Sequence, residues 1–178
     1  MKGLELGQTY FSECVDPILR TRFPGLLYSA ARLGTGSDVL GFDDETSRDH
    51  DWGPKFHIYL VPDAGDDLRS AIDNALTDDL PRHFRGYATG YSLHDDGTAD
   101  FDPDATDTRH ALTITTVAEH FQEYLGVTLE TPLPPSHWLA LSPQKLRTII
   151  SGRVFHDGLG SLNPIRETLA WYPQDIWL

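Results

Sequence analysis

A chain of 178 residues, 39% hydrophobic and 11% aromatic, suffices for one ordinary domain with a real core and excludes disorder. Fourteen Lys and Arg against 27 Asp and Glu leave a formal charge of -13, which repels phosphate backbones and excludes nucleic acid as a bulk partner. The single cysteine, Cys14, excludes an intrachain disulfide and a Cys-based zinc knuckle. Residues 1–7 have no apolar leader and no run approaches the ~18 apolar residues of a membrane span, so the expectation is a cytoplasmic protein with no membrane partner.

In chain order, Tyr10, Phe11, Cys14, Val15, Ile18 and Leu19 recur at spacings of three and four and predict an amphipathic helix, kinked or broken at Pro17. On that spacing Cys14 is a small core residue. Phe23-Pro24-Gly25 ends the helix, and residues 26–33 predict a strand. Residues 55–61 predict a second strand, with Phe56, Ile58 and Leu60 on one face and His57 and Tyr59 on the other. Leu68, Ile72, Ala75 and Leu76 predict a helix over 63–80 that Pro81 closes. A short strand is expected within 85–93, a long aspartate-rich loop over 94–107 and a strand over 110–116. Thr116-Val117-Ala118-Glu119 is a capping box opening a helix that Gly126 ends, which makes Glu119 a cap and not a catalytic acid. The stiff linker Thr131-Pro132-Leu133-Pro134-Pro135 marks a change of organisation, followed by helices from Ser142-Pro143 to Gly152 and from Asn163-Pro164 to Trp171. The last six residues resemble the start of an unfinished helix, whose apolar side chains would be expected to meet a protein partner or a further segment.

Between the first two strands stands Leu33-Gly34-Thr35-Gly36-Ser37, then, after the eleven residues 38–48, Asp49-His50-Asp51-Trp52. Gly36 lets backbone approach a phosphate without obstruction by a Cβ, and Ser37 offers a hydroxyl and an N–H at the start of a short helical turn. Residues at i and i+2 of a strand point to one side, so Asp49 and Asp51 would present two carboxylates about 7 Å apart. Hard oxygen ligands of this kind, completed by phosphate oxygens and water, suit Mg²⁺ in phosphoryl-transfer sites. Arg48 and Lys55 are the nearest cations, while His50 and Trp52 should face away from the pair. Asp100-x-Asp102-x-Asp104 imitates the opening of a calcium loop, but Ala105 and Ala111 stand where glycine and a bidentate glutamate belong.

The Gly36-Ser37 turn, the gap and Asp49-x-Asp51 resemble the signature of the DNA-polymerase-beta-like nucleotidyltransferase superfamily. The longer motifs, from Gly34 to Asp43 and from Ser47 to Pro54, resemble an uncharacterised bacterial nucleotidyltransferase-like family, a domain of unknown function. The likeness extends through Gly152-Arg153-Val154-Phe155-His156-Asp157 and Ile165-Arg166-Glu167 to Tyr172-Pro173. It implies an α+β fold, a mixed β-sheet flanked by helices with a short helical C-terminal part. Residues 1–130 would form the nucleotidyltransferase-like domain and 131–178 a helical extension, the start of a C-terminal helical domain that the chain truncates. It implies Mg²⁺, with Mn²⁺ as a substitute, on Asp49 and Asp51 as catalytic metal ligands. A nucleoside triphosphate would rest on Gly36 and Ser37, and a nucleotidyl group would pass to a hydroxyl of an unknown small molecule or protein. Superfamily enzymes add a third carboxylate from a later strand. Residues 110–116 offer Thr113 and Thr115 there, with Asp107 just before. A catalytically impaired nucleotide-binding or protein-interaction module of the same fold is therefore the alternative expectation.

Overall fold

The computed structural model describes residues 1–43, 53–93, 99–100, 109–128, 133–171 and 173. It opens with helix α1 (Gly3–Tyr10), a π-helical turn (Phe11–Val15) and helix α2 (Asp16–Arg22), one after the other without a loop. Pro17 has no N–H for the carbonyl four residues back, so an ordinary α-turn cannot be completed there. The chain absorbs the defect by widening the preceding turn, in which the Asp16 N–H bonds the carbonyl of Phe11. The expected kink or break is thus a π turn. Leu6, Tyr10, Val15 and Leu19 keep one continuous buried face through it, and Cys14 packs against the same core.

Strand β1 (Tyr28–Arg32) leads through a tight turn into the single-turn helix α3 (Ser37–Leu40). Strand β2 (Phe56–Leu60) begins two residues after Pro54, which cannot donate to a ladder. Helix α4 (Asp66–Asp79) follows, narrower than the predicted span by a few residues at its start. Between 83 and 93 the chain makes β3 (His83–Phe84), β4 (Tyr87–Ala88) and β5 (Gly90–Leu93). The expected single strand within 85–93 is instead two: Arg85 and Gly86, both at positive φ (51° and 88°), form the two-residue turn that pairs β4 with β3, and at Thr89 the chain changes partner, β5 pairing elsewhere. A two-residue strand, β6 (Ala99–Asp100), pairs with β5 inside the stretch read as loop. The strand predicted over 110–116 is two, β7 (Arg109–His110) against β5 and β8 (Leu112–Thr116) against β2, changing partner at Ala111.

Helix α5 (Val117–Leu125) starts on Thr116, whose hydroxyl accepts from the Glu119 N–H at 3.1 Å while the Glu119 carboxylate accepts from the Thr116 N–H at 2.8 Å. Gly126 ends it at φ 77°. After the prolines come α6 (Pro135–Ala140), α7 (Pro143–Ser151), strand β9 (Arg153–Asp157) and α8 (Leu162–Leu169). The reading of 131–178 as helical had no place for β9. Val154 and Phe155 form a short apolar run bounded by glycines, and a Cβ on Gly152 would lie 2.3 Å from the Arg32 carbonyl oxygen, one on Gly158 2.5 Å from that of Tyr28. Only glycine lets the ends of β9 approach β1 so closely.

The main sheet runs β8-β2-β1-β9, with β1 antiparallel to both neighbours and β2 parallel to β8. It is a mixed sheet flanked by helices, an α+β fold. Alternation along β2 places Phe56, Ile58 and Leu60 in a core shared with α1, α2 and α4, while Tyr59 enters a second core formed with α5 to α8. The central strands are covered on both faces, which is why all five residues of β1 are buried. The fourth strand of this sheet comes from the C-terminal part of the chain. No helix of the described residues is long and apolar enough to cross a membrane.

Candidate functional site

Because β1 is antiparallel to β2, and β2 parallel to β8, the end of β1 meets the beginnings of β2 and β8 at one edge of the sheet. A cavity of about 430 Å³ opens there. Gly34 and Thr35 of the turn after β1, Lys55 and His57 at the start of β2, and Thr113 on β8 form its floor. His120, Glu123 and Tyr124, spaced i, i+3 and i+4, present one face of α5 to it, and Lys145 reaches it from α7.

The turn is organised by Arg32, 6% exposed. Its guanidinium donates from Nε and Nη2 to the two oxygens of Asp38, and Nη2 also donates to the Thr35 carbonyl at 2.8 Å. Gly34 sits at φ 93° and Gly36 at φ 148°. A Cβ on Gly36 would lie 2.1 Å from Asp38 Oδ1 and 2.3 Å from Arg32 Nη2. The need for glycine at 36 therefore has a structural cause in the ion pair. Of the expected nucleotide-binding pair, Gly36 packs on Arg32 and Asp38 and Ser37 begins α3, whereas Gly34 and Thr35 face the cavity.

His57 and His120 stack with ring centroids 4.0 Å apart and planes 15° from parallel. Desolvation by burial, and for His57 the neighbouring His120 next, push the His57 imidazole down to about 3 and that of His120 to about 4. Both are neutral at pH 7. The Tyr59 hydroxyl and His120 Nδ1 share a 2.8 Å hydrogen bond that fixes the inner ring. Burial raises the Tyr59 phenol well above its ordinary value. The wall is thus an uncharged, hydrogen-bonding aromatic surface beside two lysines.

Glu119 is a cap, as its spacing predicts. It also accepts two hydrogen bonds from Arg69, at 2.9 and 2.8 Å, and these, foremost, lower its carboxyl to about 2. On β8, Thr113 faces the cavity and Thr115 donates to Glu119 at 3.1 Å. Glu123 is the cavity's carboxylate among the described residues. Arg48, Asp49, His50, Asp51 and Trp52 lie outside the described residues, as do Asp102, Asp104 and Asp107. Among the described residues no group of three or more His, Cys, Asp or Glu side chains could hold a metal ion.

His57, His120, Glu123, Tyr124 and Lys145 were not singled out as site residues by sequence reasoning. The face of α5 was legible as a helix, but nothing local marks which side of it meets a cavity, and Lys145 carries no motif at all.

The model of a family described as a domain of unknown function, DUF4037, matches residues 138–178. No curated protein and no solved structure matches the chain. The matched segment includes α7 and its Lys145, strand β9 and α8.

Proposed function

We propose that the chain is a metal-dependent nucleotidyltransferase-like protein that binds a nucleoside triphosphate with Mg²⁺ and passes a nucleotidyl group to a hydroxyl of a small molecule or protein. The observation that supports this most is the cavity at the meeting of β1, β2 and β8, where the Gly34-Thr35 backbone and two lysines face an opening of nucleotide size. In the reaction the acceptor oxygen bonds to the α-phosphorus as the bond from that phosphorus to the leaving pyrophosphate breaks, and the acceptor proton passes to a base. Positioning and charge neutralisation are the main tasks of a protein in such chemistry. Mg²⁺ on Asp49 and Asp51, with Mn²⁺ as a substitute, belongs to this proposal on the strength of the sequence pair. So does a cytoplasmic location, from the lone cysteine.

One observation favours a second function, a nucleotide-binding or protein-interaction module of the same fold without turnover. The strand position that would offer a third acid to the cavity carries Thr113. Thermal melting with ATP and Mg²⁺ tests nucleotide binding, with a rise expected in the wild type and its loss in Asp49→Asn. No rise at millimolar ATP with Mg²⁺ or Mn²⁺ would abandon it. Transfer of label from α-labelled nucleotides to an acceptor in a cell extract then separates enzyme from module.

A further inference from the structure

We propose that Lys145 holds the anionic part of the ligand in this cavity, so that the segment matched by the family model completes a site otherwise built on the sheet and α5. The ligand is a polyphosphate, a choice that rests on the nucleotide-binding function proposed above.

The cavity has several basic side chains, and they are not equivalent: Lys55, at the start of β2, belongs to the sheet beside the Gly34-Thr35 turn, whereas Lys145 is the cation that the C-terminal segment adds. Arg32 is committed to Asp38 and to the Thr35 carbonyl. The two stacked imidazoles are neutral and can donate or accept but cannot balance charge. Lys145 is exposed on the first turn of α7, and its ammonium lies 5.5 Å from the centre of the Tyr124 ring. An exposed lysine over a half-buried ring is held by only about 1 kcal/mol, less than a charge-assisted bond to phosphate provides. The ammonium can therefore leave the ring for an anion at small cost.

Its position is nonetheless fixed from below. The Thr148 hydroxyl donates to the Lys145 carbonyl at 2.8 Å, and the Tyr124 hydroxyl completes the chain by donating to Thr148 at 2.6 Å. Tyr124 thus ties α5 to α7 through its hydroxyl and offers its ring to the lysine, which sets where the charge can reach. Glu123, next to it on the same wall, opposes a bare anion and favours one that arrives with a counter-cation. In a chain of net charge -13 a local cation is needed for any polyanion to approach.

Titration calorimetry without divalent metal, at low salt, tests this with ATP and inorganic tripolyphosphate as probes. Lys145→Ala should weaken both by about tenfold or more, as loss of one charge-assisted contact does. Lys145→Arg should keep most of the affinity, and Arg147→Ala, which removes an exposed charge of the same helix outside the cavity lining, should change little. Glu123→Gln should tighten both. ATP binding that is equal in wild type and Lys145→Ala would overturn the proposal while leaving the nucleotide function standing. Lys145-dependent binding of tripolyphosphate with none of ATP would support the anion site and remove the nucleotide. Failure of the wild type to bind either probe, without divalent metal and with Mg²⁺ alike, would overturn it outright.

Discussion

Arg32 grips Asp38 with two parallel hydrogen bonds, Nε to Oδ2 at 2.8 Å and Nη2 to Oδ1 at 2.9 Å, across the turn that separates them in sequence. The side chains are 7% and 13% exposed. Removing one partner of a buried pair leaves a desolvated charge, a loss of about 3–5 kcal/mol. Arg32→Ala should fall in that range in urea denaturation. A loss under about 1 kcal/mol would mean that the ion pair does not hold the turn.

Gly36 should be intolerant of a methyl group for two separate reasons, its φ of 148° and the collision of a Cβ with the pair. Gly36→Ala is expected to cost about 2 kcal/mol or more. Gly65, with nothing within 4 Å of its Cβ position and φ -68°, is the control, and Gly65→Ala should lose only the smaller preference for glycine over alanine at the N-cap of α4, under about 1 kcal/mol. Equal melting temperatures for the two variants would contradict this account.

Acid should destabilise the protein through the stacked imidazoles. Their folded values, about 3 for His57 and about 4 for His120, lie below the ordinary 6.5, so the unfolded chain takes up protons first. Stability is then complete above pH 6.5 and falls as the pH drops towards 4, by an amount on the order of 3 kcal/mol per imidazole. Unfolding midpoints measured from pH 7 to pH 4.5 should decline, and His57→Phe should decline less steeply. An unchanged slope in that variant would show that other groups carry the acid dependence.

Thr116→Ala removes the hydroxyl that caps α5 and should cost about 1 kcal/mol. Because α5 carries His120, Glu123 and Tyr124 to the cavity, the same change should also loosen that wall. Amide exchange along 117–121 should accelerate in the variant. Unaltered exchange there would separate the cap from the helix it opens.

Arg166 donates to three carbonyl oxygens at the end of α7, those of Ile149 at 3.1 Å, Ile150 at 2.5 Å and Gly152 at 2.5 Å. Arg166→Met keeps most of the apolar stem but leaves these acceptors without the guanidinium. A loss of about 2–3 kcal/mol is expected from chemical denaturation. Since Gly152 leads into β9, a loss near zero would show that the α7–β9 junction is held by backbone pairing alone.

Local signals in the sequence foretold local structure well. The capping box at Thr116, Ser142-Pro143 before α7, Gly126 after α5 and the alternation of Phe56, Ile58 and Leu60 each act within a few residues, and each stands where expected. Expectations failed where a partner distant in sequence decides. β9 is a strand because β1 lies beside it, and 110–116 divides because β5 pairs with His110 and Thr89 takes the Ala111 N–H while β2 takes 112–116. The cavity is of the same kind. Composition is that of a chain able to bury a core, and Gly34 to Ser37 marked where the chain turns sharply after its first strand. That Gly36 serves an ion pair, that α5 turns His120, Glu123 and Tyr124 toward that turn, and that Lys145 joins them were settled only by tertiary packing. A sheet edge gathers residues from separate elements by hydrogen-bond register and buried contact, and neither leaves a periodic trace in the chain.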